Sequence, residues 1–334
     1  MTVILGIESS CDETSASICI DGKIINNEIA SQDIHREYGG VVPELASREH
    51  QKNIVPIVEH VLNHAQIKPS DLSAIAYTRG PGLLGALLIG SSFAKAMAAS
   101  LNIPLIPVHH MKAHVLAHFI EEPRPSYPFI CLTVSGGHTQ ILRVNSATEM
   151  DILGQTKDDA VGEAFDKAAK LLGLPYPGGP MIDDLAMSRN PTAFEFTKSD
   201  IPELDYSFSG IKTSILYFLR KEINHNEKFI EENKHDLAAS IQLSLIEMLM
   251  DKVKKAMVQE GISQIAIAGG VSANSGLRAR MEEESKIHDW DLFIPDFQYC
   301  TDNAGMIAMS GYLLFEQNSY GDLSDSPLPR MPFA

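Results

Sequence analysis

A chain of 334 residues with 44% hydrophobic content carries enough apolar material for two domains of ordinary size, each with its own core. A formal net charge of −16 opposes nonspecific attraction to phosphate backbones. A polynucleotide partner would then be held by a local patch, such as His35, Arg36, Arg48, His50 and Lys52, or by basic surface on partner proteins. The four cysteines are scattered and form no CxxC pair, which excludes a thiolate zinc knuckle and fits reduced thiols in the cytoplasm. The short apolar run 3–7 meets Glu8 at once, so a signal peptide is not expected. The run 82–94 stops at Lys95, short of the roughly 20 residues of a membrane span, so no membrane association is expected.

In chain order, residues 3–7 read as a strand that passes through the small-residue turn GIESSCDET (6–14) into a second strand at 15–20. A helix is expected over 45–64, a strand over 74–78, a helix from 82 to about 101 and a strand over 105–108. The same opening recurs at 129–134, through LTVSGGHTQ (132–140), into a strand at 139–144. Helices follow at 160–172 and 236–260, then a strand at 264–268, the turn IAGGVSANSGLR (267–278) leading into a helix, and a last helix at 304–315. Alternating helices and strands in two similar halves predict α/β organisation with a duplicated unit. The stretch 121–128 is the best boundary, giving domains 1–122 and 123–334, with the final helix and tail free to pack back on the first. Residues 189–206, rich in Pro, Asp and Ser, read as a surface loop or insertion.

Three turns carry chemistry. Ser135, Gly136 and Gly137 would form a tight turn whose amides approach an anion without obstruction by a Cβ, although an ordinary hairpin turn has the same composition. Asn274, at the end of a Gly-rich turn between a strand and a helix, is placed either to bond a ribose or base edge or to cap the helix that follows. Glu8, Asp12 and Glu13 do not suit phosphate but could hold a cation or position a nucleophile, and PYPGGP (175–180) offers Gly179 with Asp183 nearby. In VHHMKAH (108–114), His110 and His114 share one helix face, with His118 continuing it and His109 pointing elsewhere. Two imidazoles with the carboxylate of Asp302, in CTDNAGMIA (300–308), make a mixed N/O donor set suited to iron or zinc as a Lewis acid. The HExxH spacing of a zincin protease is present, but Met111 stands where the catalytic glutamate would be.

These strings, together with YGGVVPELASREH (38–50), GPGLLGALLIG (80–90), GEAFDKAAKLLGLPYPGGP (162–180) and SFSGIKT (207–213), resemble the TsaD family in collinear order from residue 3 to about 315. That family, also called Kae/Qri/YgjD, was formerly described as O-sialoglycoprotein endopeptidase. The resemblance implies an actin-like ATPase (ASKHA) fold, with two duplicated α/β domains around a nucleotide cleft. It also implies tRNA N6-adenosine threonylcarbamoyltransferase activity, an acyl transfer from threonylcarbamoyl-AMP to the adenosine 3′ to the anticodon. Matched motif by motif, the metal ligands are His110, His114 and Asp302, holding one divalent ion, iron first and zinc second. The adenylate would contact Thr133, Val134, Ser135, Gly136, Gly137, Asp166, Gly179, Asp183 and Asn274, and Glu13 or Asp12 would serve as base if one is needed. The partners so implied are tRNA, a TsaB-like paralogue in a heterodimer, a TsaE-like ATPase that uses ATP within the complex, and a synthase that supplies the adenylate. An actin-fold small-molecule kinase, a metal-dependent peptidase and a noncatalytic scaffold remain the alternatives.

Overall fold

Each apolar run that opens a half becomes the middle strand of its own five-stranded sheet. The computed structural model describes residues 1–32, 35–38, 40–199 and 201–333, without the side chains of Arg36 and Glu37. Two units result: Met1–Arg124 with Ser146–Glu149 and Pro295 onward, and Pro125–Asn145 with Met150–Ile294. In chain order the first carries β1 (Val3–Glu8), β2 (Thr14–Ile20), β3 (Lys23–Ala30), the short α1 (His35–Tyr38), α2 (Pro43–His64), β4 (Ala74–Gly80), α3 (Leu84–Leu101), β5 (Leu105–His109) and α4 (His110–Leu116). Its sheet runs β3-β2-β1-β4-β5, antiparallel across β1, β2 and β3 and parallel from β1 through β4 to β5. Side-chain alternation along β1 decides what packs where. Val3, Leu5 and Ile7 join Ile54, Val58 and Val61 of α2 and Ala94 of α3, whereas Ile4 faces a second apolar cluster on the other side.

The second unit repeats the scheme with β6 (Phe129–Val134), β7 (Thr139–Val144), β8 (Met150–Gln155), α5 (Val161–Leu171), α6 (Gly178–Ala186), α7 (Ser209–Ile223), α8 (Phe229–Glu260), β9 (Gln264–Ala268), α9 (Ser275–His288) and β10 (Asp291–Phe293). Its sheet order is β10-β9-β6-β7-β8, the same arrangement read from the other edge. The third strand of each hairpin, β3 and β8, escapes the sequence pattern because an edge strand is half exposed and needs no apolar run. Residues 189–206 are irregular where described, yet Phe196, Leu204 and Tyr206 are buried in the core, and the Tyr206 hydroxyl donates to the Leu249 carbonyl at 3.2 Å. The stretch is therefore partly a core segment, a correction to its reading as surface.

The last helix, α10 (Ala304–Glu316), packs on β1, β2 and β4 of the first unit. Its approach is so close that a Cβ on Gly6 of β1 would lie 2.6 Å from the Ala308 nitrogen and 2.7 Å from the Ala304 oxygen. The helix start is fixed by three side chains. Asn303 caps it by accepting from the Met306 amide at 3.0 Å, Ser15 accepts from the Ala304 amide at 2.8 Å, and Asn27 accepts from the Gly305 amide at 2.9 Å. Among the described residues one helix, α3, is long and apolar enough to cross a membrane; here it packs on α2 and β4.

Candidate functional site

Residue 302 immediately precedes that pinned helix start, and so its carboxylate is held in a defined place. Opposite it, β5 runs straight into α4, whose N-cap is His109, accepting from the Lys112 amide at 3.4 Å. His110 and His114 follow one turn apart with their rings perpendicular and 4.8 Å between centroids. Their Nε2 atoms lie 3.3 and 3.1 Å from Asp302 Oδ1. Donors bonded to one ion at about 2.0–2.2 Å sit about 3 to 3.4 Å from one another, so each imidazole already stands at that spacing from the Asp302 oxygen, and all three donors lie within 4.8 Å of one another. A set of two imidazoles and one carboxylate fits iron or zinc and leaves positions open. His118, which continues the spacing, is buried outside this group.

Behind His110 stands Glu8, at the end of β1 and fully buried. Its Oε2 lies 3.1 Å from His110 Nδ1 and accepts from the Thr78 hydroxyl at 2.7 Å, while Oε1 accepts from the Ser10 amide. A carboxylate on the far nitrogen fixes the ring's orientation and makes it a better ligand. Burial pushes the Glu8 carboxyl up, but the His110 charge outweighs it and holds Glu8 ionised, below the ordinary range. In the same exchange, burial disfavours a charged His110, yet Asp302 and Glu8 raise it well above an ordinary histidine. Asp302 is partly buried, which would raise it, yet His110 and then His114 hold it well below the carboxylate range. Glu13 shows how acidic the neighbourhood is: burial first, then Asp302 and Asp12, push it up to about 9. Without a cation Glu13 keeps its proton at neutral pH and is a hydrogen-bond donor; as a general base it needs positive charge nearby. Such a concentration of carboxylates favours a bound cation.

In the second unit a separate cavity of about 270 Å³ is lined by Gly136, Phe165, Asp166, Gly179, Asp183 and Asn274, among others. Several of these polar groups already serve the fold. Asp166 Oδ1 accepts from the Gly178 and Gly179 amides at 2.7 and 3.2 Å and so caps α6 from a distance, which lets a Gly-Gly-Pro start be helical. Asp183 accepts from the Ser275 amide at 2.8 Å and the Ser275 hydroxyl at 2.7 Å. Asn274 caps α9 through the Leu277 amide at 2.9 Å and donates to Gln242 at 2.9 Å. The Ser135 hydroxyl accepts from the His138 amide at 3.0 Å, shaping the turn, and a Cβ on Gly136 or Gly137 would meet nothing within 4 Å. Thr133 and Val134 have side chains buried in the sheet, so only backbone of that strand is offered to a ligand. Gly269, at φ +89°, lets the next turn pass the same strand, since a Cβ there would lie 2.5 Å from the Val134 oxygen.

The sequence matches the family model described as TsaD: tRNA N6-adenosine threonylcarbamoyltransferase over residues 23–309. The chain belongs to the TsaD family. Relatives bearing the same name include one from Cytophaga hutchinsonii, 57% identical over 98% of this chain and 96% of that protein. Another, from Christiangramia forsetii, is 53% identical over 99% and 98%. Among solved structures, full-length HypF in its phosphate- and nucleotide-bound form superposes with a TM-score of 0.63 at 14% identity, covering 96% of this chain and 56% of that one. The component A of (R)-2-hydroxyglutaryl-CoA dehydratase from Acidaminococcus fermentans does so at 0.54 and 16%, covering 93% and 98%. At such identities the likeness speaks for the actin-like ATPase fold alone.

The basic patch is corrected by the structure. His50 is fully buried, with Nδ1 2.7 Å from the Thr14 hydroxyl and Nε2 3.0 Å from the Cys11 carbonyl, and burial lowers its basicity. His35 is also buried, its Nε2 2.8 Å from Gln32 Oε1. Arg48 and Lys52 are exposed but pair with Glu44 and Glu49 on their own helix, and the Arg36 side chain lies outside the described residues. The residue whose role sequence reasoning missed is Glu8: its signal was an acid ending a buried strand, where an unpaired carboxylate would be costly.

Proposed function

We propose that this TsaD-family chain transfers the threonylcarbamoyl group of threonylcarbamoyl-AMP to N6 of the adenosine 3′ to the anticodon, in tRNAs reading codons that begin with adenine. The observation that carries the reading is the convergence of His110, His114 and Asp302 on one point, backed by Glu8. In the reaction the N6 amine attacks the carbamoyl carbon, the bond from that carbon to the phosphate oxygen breaks, AMP leaves, and the amine gives up a proton. His110, His114 and Asp302 would hold one divalent ion, iron in preference to zinc, which would supply Lewis-acid polarisation to a substrate oxygen. Glu8 keeps the His110 ring aimed at the ligand position. The adenylate occupies the cavity of the second unit, where the Gly136 and Gly137 backbone receives the phosphate without steric obstruction. Asp166, Gly179, Asp183 and Asn274 shape the walls that receive the nucleoside, more as a rigid frame than as free hydrogen-bonding groups. Asp12, with Glu13 once a cation is present, takes the amine proton.

A chain this acidic, with Arg48 and Lys52 neutralised locally, supports tRNA binding mainly within an assembly. The assembly comprises a TsaB-like paralogue and a TsaE-like ATPase, and a separate synthase supplies the adenylate, all in the cytoplasm. The peptidase reading lacks the glutamate of the HExxH pattern, because Met111, a buried core residue, stands at that position. The experiment is transfer of labelled threonine into anticodon-loop transcripts by the reconstituted proteins. Product is expected with the native chain and not with the His110→Ala/His114→Ala variant; equal incorporation by both would overturn the reading.

A further inference from the structure

A second convergence of donors lies on the same unit, away from α4. Helix α2 carries His60 and His64, again at i,i+4, and the edge strand β3 presents Glu28 to them. Glu28 Oε1 is 3.7 Å from His60 Nε2 and 3.8 Å from His64 Nδ1, and all three donors fall within 4.8 Å of one another. These separations are too long for hydrogen bonds. They exceed by only a few tenths the roughly 3.4 Å expected between donors on one tetrahedral zinc, so small rotations of exposed side chains would close them. The imidazoles are about 60% exposed, and an ion can reach them from solvent.

The frame between the two elements is fixed. Asn26, two residues before Glu28 on the same face of β3, donates to the Val61 carbonyl at 2.8 Å, between the two histidines on α2. The Glu28 carbonyl accepts from the Ser15 hydroxyl at 2.7 Å, which holds the strand at that residue. Donor spacing is thus set by the fold, and little ordering is needed on binding. We propose that Glu28, His60 and His64 form a second metal site, selective for borderline divalent ions such as Zn²⁺, that clamps the edge strand β3 to α2. Two imidazoles and one carboxylate are donors of that preference, and the remaining coordination position faces water.

The test is zinc titration of the full chain by competition with a chromophoric chelator, using ZnCl₂ as the probe. Two equivalents are expected for the native chain and one for His60→Ala/His64→Ala, with threonylcarbamoyl transfer unchanged in that variant. Glu28→Gln should weaken the second equivalent by at least about 10-fold, the size reached by changes behind a ligand alone. The second equivalent is also followed in the native chain by the imidazole NMR signals of His60 and His64. Amide exchange along β3 should slow when it binds. Unchanged zinc stoichiometry in His60→Ala/His64→Ala, or unshifted His60 and His64 signals at two equivalents, would overturn the site. Bound zinc with unaltered β3 exchange would overturn the clamp.

Discussion

The turn after β1 and the turn after β6 occupy equivalent places in two sheets of the same strand order, yet they are built for different chemistry. The first is packed with side chains: Glu8 is buried behind His110, and Ser9 bonds the Ala86 carbonyl of α3 at 3.1 Å. The second is almost bare backbone, with Gly136 and Gly137 opening onto space. A duplicated scaffold thus fills one turn with partnered side chains and leaves the other as bare backbone, which is the difference that the proposed metal and phosphate roles require. The contrast predicts that the first turn fails when partners are removed and the second when bulk is added.

The largest effect should come from Asp302→Ala, which takes the shared carboxylate from both histidines. Losing Lewis-acid stabilisation worth several kcal/mol should lower transfer by at least about 100-fold, with metal lost by elemental analysis. Next, Gly6→Val forces a side chain against the backbone of α10. Overpacking of this kind costs about 1–3 kcal/mol, and here the upper end is expected in chemical denaturation, with metal content falling because Asp302 moves with the helix start. Glu8→Gln keeps the shape but cannot accept from the His110 ring, Thr78 and the Ser10 amide together; metal affinity should drop about 10- to 100-fold. If affinity is unchanged, Glu8 is merely a core hydrogen-bonding group.

The smallest effect on stability, and the sharpest on the comparison, is Gly137→Val. A Cβ there meets nothing, so stability should change by less than about 0.5 kcal/mol. Calorimetry with a nonhydrolysable threonylcarbamoyl-adenylate analogue should nevertheless show affinity reduced by about 10-fold or more, about 1.4 kcal/mol. Unaltered affinity would make this an ordinary hairpin turn.

Much of this organisation was legible because its signals are local. The apolar runs of β1, β6 and β9, the length of α2 and the i,i+4 histidines depend only on period and neighbours along the chain. Distant Asp302 was joined to the histidine pair only through the family strings, and the structure brings the three side chains together. Edge strand β3 and helix α6 were not legible, the first lacking an apolar run and the second starting on two glycines and a proline.

By itself, then, the sequence determined two α/β halves, a histidine pair on one helix face and glycine turns where backbone can be exposed. Only the tertiary structure decided which polar groups have their capacity already taken. Asp166 caps a helix twelve residues on, Asn274 caps its own, His50 bonds Thr14 and Cys11 inside the core, and Glu8 backs His110 from a hundred residues away. Periodicity is a property of neighbours along the chain. The partner of a buried donor or acceptor is chosen by whichever segment packs against it, and a buried group must take that partner because leaving it unpaired costs about 1–3 kcal/mol.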